Sequence, residues 1–143
     1  MLILRPYTQA DWPVLIQYQY PTITEGEAKQ MISDFNLGFY NNKRFQMLAI
    51  EHGGVLVGYI SLLEQAPGIA SEGIEIYPPY RRQGFAYAAL QQISEHTDYH
   101  TITAQIKTDN IPSLSLHKKL GFQIKEEFTN RRGHKVYSLS LVL

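Results

Sequence analysis

Ile74-Glu75-Ile76-Tyr77 reads as the end of a strand. Pro78-Pro79 breaks it, and Arg81-Arg82-Gln83-Gly84-Phe85-Ala86 opens a helix-like run that continues to Glu95. A strand feeding a glycine turn at a helix N-terminus is a place to hold phosphate. The first N–H groups of the helix have no internal partner, and the helix dipole favours negative charge there. Gly84 lets the backbone approach an anion with no Cβ in the way. Arg81 and Arg82 add charge and forked donors. The spacing is neither G-x-x-x-x-G-K-[ST] nor G-x-G-x-x-G, so neither the nucleoside-triphosphate loop nor the dinucleotide fingerprint fits. An ordinary strand–turn–helix with solvated arginines would look the same, so a second signal is needed.

That signal is Asn110-Ile111-Pro112-Ser113-Leu114-Ser115-Leu116-His117-Lys118-Lys119-Leu120-Gly121-Phe122. Together the two stretches resemble the GNAT superfamily of acetyl-CoA-dependent N-acetyltransferases. Arg81, Gly84 and Ala86 match that family's [QR]-x-x-G-x-[GA] at the pyrophosphate. Asn110 and Leu120-Gly121-Phe122 match its Asn-initiated helix ending in Leu-Gly-Phe, and the two motifs stand in family order.

The resemblance implies acetyl-CoA as acyl donor and a primary amine, of a small molecule or a protein, as acceptor. It assigns the cofactor to the turn Arg81, Arg82, Gln83, Gly84, Phe85, Ala86 and Tyr87, to the strand residues Ile74 and Ile76, and to Asn110, Ser113 and His117. Arg82 stands where many members have glycine. In the family the strand before the turn splays from its neighbour, which makes the N–H of Ile76 the expected donor to the thioester oxygen. Glu72 and Glu75 are both candidates for the base that deprotonates the amine. Gln105 falls where some members carry a glutamate base, and cannot do that work. His117 stands seven residues after Asn110, where many members have a tyrosine that protonates the departing thiolate. Histidine can donate a proton near neutral pH, or it can serve only as a cofactor contact. A sensor or interaction module that binds acyl-CoA with little turnover is the alternative function.

Composition narrows the chemistry. The chain has 143 residues and no cysteine. That removes disulfides, thiolate metal sites and an acetyl-cysteine intermediate, leaving direct attack of the amine on the thioester. None of the other four histidines, His52, His96, His100 and His134, makes a metal-ligand spacing with a carboxylate, so no metal is expected. Thirteen Lys plus Arg balance thirteen Asp plus Glu, which gives no global attraction to nucleic acid or to an anionic membrane. Met1-Leu2-Ile3-Leu4-Arg5-Pro6 lacks a long apolar region and reads as a first strand instead of a signal peptide. The expectation is one cytoplasmic domain over residues 1–143, a monomer or homodimer.

The elements that must position these residues follow from periodicity. Leu2 to Arg5 is a strand, and Asp11 caps a helical run from Trp12 to Tyr18. Thr24 and Glu27 have capping-box spacing before Ala28, Met31, Ile32 and Phe35, with Gly38 and Asn41-Asn42 ending the helix. His52-Gly53-Gly54 joins two strands, Phe45 to Glu51 and Val55 to Leu63. Ile69 to Tyr77 is the strand before the glycine turn, and the helix after it buries Ala86, Ala89, Leu90 and Ile93. Thr101 to Ile106, the Asn110 helix and a last hairpin around Asn130-Arg131-Arg132-Gly133 complete the order. This is an α/β (α+β) pattern. By the resemblance it forms a mixed, largely antiparallel sheet of about seven strands flanked by about four helices. Tyr18, Tyr20, Phe35, Phe39 and Tyr40 lie where acceptor specificity is expected, although such aromatics are more often core.

Overall fold

The computed structural model describes residues 1–143. Its elements are β1 (Leu2–Pro6), α1 (Trp12–Tyr18), α2 (Glu25–Phe35), β2 (Phe39–Tyr40), β3 (Lys43–His52), β4 (Val55–Ala66) and β5 (Ile69–Ile76). There follow α3 (Phe85–His96), β6 (Thr101–Lys107), α4 (Ile111–Lys119), β7 (Gln123–Thr129) and β8 (Lys135–Val142). Seven strands run in the order β1-β3-β4-β5-β6-β8-β7, with β2 added beside β3. Every pairing is antiparallel except that of β5 with β6, which α3 makes possible as the crossover. The expected α/β class and strand number hold.

Local signals set the turns. Gly53 and Gly54 both have positive φ, 58° and 79°, the two-residue turn whose twist suits a hairpin. Asn41 and Asn42 do the same at 49° and 63°, so they close a β2–β3 hairpin instead of merely ending α2. Thr24 Oγ1 accepts from the Glu27 N–H (3.1 Å) while Glu27 Oε1 accepts from the Thr24 N–H (3.0 Å), the reciprocal box expected at the start of α2.

Asp11 departs from expectation. It precedes α1, but its side chain makes no cap hydrogen bond there. Its carboxylate instead accepts from Arg5 Nη1 (2.8 Å), Arg5 Nη2 (3.0 Å) and the Thr8 N–H (2.8 Å). This fork ties β1 to the entry of α1, and Arg5 Nε reaches Glu51 of β3 at 3.0 Å. Burial pushes the Asp11 carboxyl up. The hydrogen bonds from Arg5 and Thr8, with the Arg5 charge, outweigh that and hold it below its ordinary value.

The sheet separates two apolar clusters. Ile50, Ile60, Leu62, Ile102 and Leu139 pack with Ala89, Leu90 and Ile93 of α3 and Leu114 of α4. Tyr7, Leu15, Ile32, Ala49 and Tyr77 form the other cluster against α1 and α2. Ala86, expected in the core, is only partly buried and lines the cleft described below. It sits in the first helical turn, before α3 settles onto the sheet.

Between β3 and β4 the register shifts: Ile50 faces Gly58 and Glu51 faces Leu56, so Val57 is an extra residue. The Val57 carbonyl accepts from the Tyr77 N–H at 2.9 Å. A Cβ at Gly58 would collide with the Glu75 carbonyl oxygen and lie 3.0 Å from Ile76 Cα. Backbone cannot swing aside as a side chain can, so only glycine lets β4 and β5 meet here.

Two stability outcomes follow. Gly58→Ala should destabilise the protein by about 1–3 kcal/mol through overpacking; an unchanged urea midpoint would show that β4 yields freely. Asp11→Ala should cost about 1–3 kcal/mol at pH 7, since Arg5 loses a charged partner and keeps only Glu51 and the Pro6 carbonyl. Asp11 has a depressed folded pKa, so its contribution is present above about pH 4 and is lost as pH falls through the folded value. The gap between wild type and variant should therefore close towards about pH 2; a gap constant with pH would contradict the ion-pair account.

Candidate active site

The pairing of β5 with β6 is short. It covers Ile69–Thr101, Ala70–Ile102 and Ser71–Thr103 and then stops, while β5 continues along β4 to Ile76. The two parallel strands thus diverge beyond Ser71. Backbone groups alternate sides along a strand. The Tyr77 N–H points to β4, where it bonds Val57. By alternation, the N–H and C=O groups of Ile74 and Ile76 point the other way, into the opening. The Ile76 carbonyl accepts from Arg81 Nε at 2.8 Å, and Arg81 lines the cleft described next.

A cleft of about 670 Å³ fills the opening and continues to the start of α3. One wall is β5, with Ile74, Glu75 and Ile76; the floor of the mouth is Arg81, Arg82, Gly84, Phe85, Ala86 and Tyr87; the far wall is Asn110 and Ser113. Eleven of the expected site residues therefore share one cavity. Tyr80, Pro112 and Leu116 line it too. Motif reading passed over these three, since apolar or aromatic residues beside a turn carry no chemical signature.

At the mouth, the turn leaves backbone N–H groups without helical partners. Gly84 precedes α3 with φ +81°, and no protein atom lies within 4 Å of where its Cβ would be. The space over it is cleft. The first helical bond runs from the Ala88 N–H to the Gly84 carbonyl at 3.1 Å, so the N–H groups of Phe85, Ala86 and Tyr87 precede the helical ladder. Arg82 has φ +64°, a left-handed conformation that glycine adopts without strain. That is the structural reason glycine suits this position. On the facing wall, Asn110 Oδ1 accepts from the Ser113 N–H at 3.3 Å and caps α4.

Three expected residues do not line the cleft: Gln83, Glu72 and His117. Gln83 is exposed on the turn. Glu72 and His117 are found with each other. His117 Nε2 lies 2.6 Å from Glu72 Oε1, with side chains 1% and 3% exposed. His117 Nδ1 is 2.7 Å from the Ser113 carbonyl and 3.4 Å from Ser113 Oγ. A base acting on a bound molecule needs exposed surface, and Glu72 has almost none. Glu75 does: it lines the cleft, 37% exposed, with Arg81 Nη2 at 3.9 Å.

Glu75 and Tyr59 are cross-strand partners. Burial first, and then the Glu75 charge, push the Tyr59 phenol up to about 12. Tyr18 stacks on Tyr77 at 4.6 Å and meets the Tyr80 ring edge-on at 6.5 Å, which carries aromatic surface from the cleft to α1. Phe35 packs on Tyr7 instead, at 5.4 Å. Phe39 and Tyr40 pair with Arg44 and Lys43, at the end of the sheet away from the α3 turn. No three His, Cys, Asp or Glu side chains gather as a metal site would require. No helix is long and apolar enough to cross a membrane.

Comparison with known proteins bears on this geometry. A spermidine N-acetyltransferase chimera from Vibrio cholerae and hSSAT superposes with a TM-score of 0.80 at 18% identity, covering 98% of this chain and 95% of that one. A ribosomal-protein-alanine N-acetyltransferase from Brucella melitensis gives 0.78 at 19% identity, with 99% of each chain covered. At such identities the likeness is one of fold. The spore coat polysaccharide biosynthesis protein SpsD of Bacillus subtilis (strain 168) is 18% identical over 114 residues, 78% of this chain. This chain spans only 39% of that relative's length. The acetyltransferase (GNAT) domain model matches residues 1–123, most of the sequence and both motifs' strand and helices, and the chain belongs to the GNAT acetyltransferase family.

Proposed function

We propose that this protein transfers an acetyl group from acetyl-CoA directly to a primary amine. The observation that carries the reading is the opening between β5 and β6 with the α3 N-terminus at its mouth. The N–H groups of Phe85, Ala86 and Tyr87, with the dipole of α3, would hold the pyrophosphate. The pantetheine arm would lie along the free edge of β5. There the N–H of Ile76 would donate to the thioester oxygen as it gains charge, an interaction that strengthens in the transition state.

The acceptor would enter from the other face. Glu75 lies on the face of β5 opposite Ile74 and Ile76, beside Tyr59. A carboxylate there can take the ammonium proton as nitrogen attacks. The tetrahedral intermediate then collapses, the C–S bond breaks, and the thiolate leaves. With no cysteine in the chain, the acetyl group has no thiol of this domain to visit first. The domain is proposed to work in the cytoplasm as a monomer or homodimer, on an amine of a small molecule or a protein.

Release of CoA thiol with polyamines, aminoglycosides, amino acids and N-terminal peptides tests the function. Acetyl-CoA binding without thiol release from any of them would make the protein a sensor. Gly84→Val should weaken CoA binding at least about tenfold by calorimetry, because a branched Cβ takes the space over the turn; unchanged affinity would remove the pyrophosphate from residues 81–86. Glu75→Gln should lower kcat about 10²-fold near neutrality. The loss should shrink at high pH, where free amine is abundant. A wild-type rate at every pH would leave water as the proton acceptor.

A further inference from the structure

Glu72 and His117 come from elements 45 positions apart and meet at the point where β5 and β6 part. Glu72 directly follows Ser71, the last β5 residue paired with β6. Two buried ionisable groups in contact need a reason, because burying charge is costly unless each partner compensates the other. Here the compensation is lopsided. Glu72 Oε1 has the imidazole, while Oε2 is buried with no hydrogen-bond partner. The imidazole is fully used: Nε2 on Glu72 and Nδ1 on the Ser113 carbonyl. A carbonyl only accepts, so Nδ1 carries a proton. If Nε2 carries one too, the ring is an imidazolium between two acceptors.

Ser113 is the link outwards. Its carbonyl and hydroxyl both approach His117 Nδ1, and the residue itself lines the cleft. The ring edge of His117 is closed on another side by Phe122, 4.9 Å between centroids.

We propose that Glu72 is a positioning residue that holds His117 in place as an imidazolium, and that the Ser113 hydroxyl passes a proton from this buried pair to the departing thiolate. The proposal rests on the acetyltransferase reading above. The step balances. The C–S bond breaks, sulfur takes the Ser113 Oγ proton, and Ser113 Oγ takes the Nδ1 proton of His117. The imidazolium becomes a neutral imidazole that still donates Nε2–H to the Glu72 carboxylate, and its bare Nδ1 turns from the Ser113 carbonyl to accept from the reprotonated Ser113 hydroxyl. The 3.4 Å separation of Ser113 Oγ and Nδ1 is one that must tighten when substrate is bound.

The surroundings leave Glu72 as the charge that matters. On α4, Lys118 and Lys119 are exposed; on β6, Lys107 is exposed and the residues turned inwards are Ala104 and Ile106. Glu75 sits on the opposite face of β5, Arg81 turns to the Ile76 carbonyl, and Tyr137 of β8 packs into the same cluster from the sheet. Burial by itself pushes the His117 imidazole down; the hydrogen bond and charge of Glu72, with the Ser113 carbonyl, more than reverse it, and the ring is raised above its ordinary value. A raised value means that the charged form persists below it and is lost as pH rises through it. Without the carboxylate, only burial and the carbonyl remain, and the ring should titrate lower.

The test is an NMR titration of the His117 ring in the cofactor-free protein, combined with kcat against pH at saturating acetyl-CoA. Wild-type His117 should titrate above 6.5, and Glu72→Gln should move it down by about one pH unit or more. The high-pH decline in kcat should move down with it, a change that loss of stability would not produce. Ser113→Ala should lower saturated kcat about tenfold or more, and Ser113→Thr should restore much of it by returning the hydroxyl. A wild-type midpoint at or below 6.5, or the same midpoint in Glu72→Gln, overturns the positioning role. Full kcat in Ser113→Ala overturns the relay. Should Glu72→Gln fail to fold, the wild-type midpoint and the Ser113 variants still decide. A wild-type protein that transfers acetyl to no amine defeats the relay and the function together, while the titration continues to judge the pair.

Discussion

Parallel strands β5 and β6 share three residue pairs and then separate. Backbone N–H and C=O groups must find partners or water, so a strand that leaves its neighbour presents a ladder of unused groups along one edge. The rest of the structure keeps that edge open without letting the sheet fail. β4 stays paired with β5 through Ile76, which prevents β5 from following β6. Gly58 permits that pairing to run up to the bulge, where any side chain would strike the Glu75 carbonyl. Two apolar clusters, one on each face of the sheet, hold it between its helices.

Position along β5 divides the polar chemistry. Ile74 and Ile76 turn their side chains to the α3 face and their backbone groups into the opening; Glu75 turns to the opposite face, beside Tyr59. One short strand therefore offers backbone donors at its edge and a carboxylate on one face. At its base, Glu72 is removed from solvent and committed to His117. Two glutamates three residues apart thus sit in different surroundings: Glu75 is exposed to the cleft and Glu72 is not.

The glycine turn was legible because its signal is local: a strand, a glycine and a helical period occur within about a dozen residues, and each has a conformational meaning by itself. The capping box of α2 was legible for the same reason. Asp11 stands at the N-cap position of α1 as its spacing predicts, but its carboxylate is captured by the fork of Arg5, six residues back on another element. The bond between Glu72 and His117 and the requirement for glycine at position 58 were not legible. Each depends on a neighbour that only the folded sheet brings near: α4 on β5 in one case, the Glu75 carbonyl in the other. Asn41-Asn42 carried a hairpin signal in plain view, but the two-residue strand before it was too short to show alternation.

The account depends on CoA occupying the free edge of β5 and the first turn of α3 together. Amide hydrogen exchange with and without CoA, read residue by residue, tests this most directly. The account predicts added protection at the N–H groups of Ile74 and Ile76 and of Phe85, Ala86 and Tyr87, with little change along the β3–β4 ladder. Protection confined to other parts of the chain, or none at these five amides at saturating CoA, would contradict it.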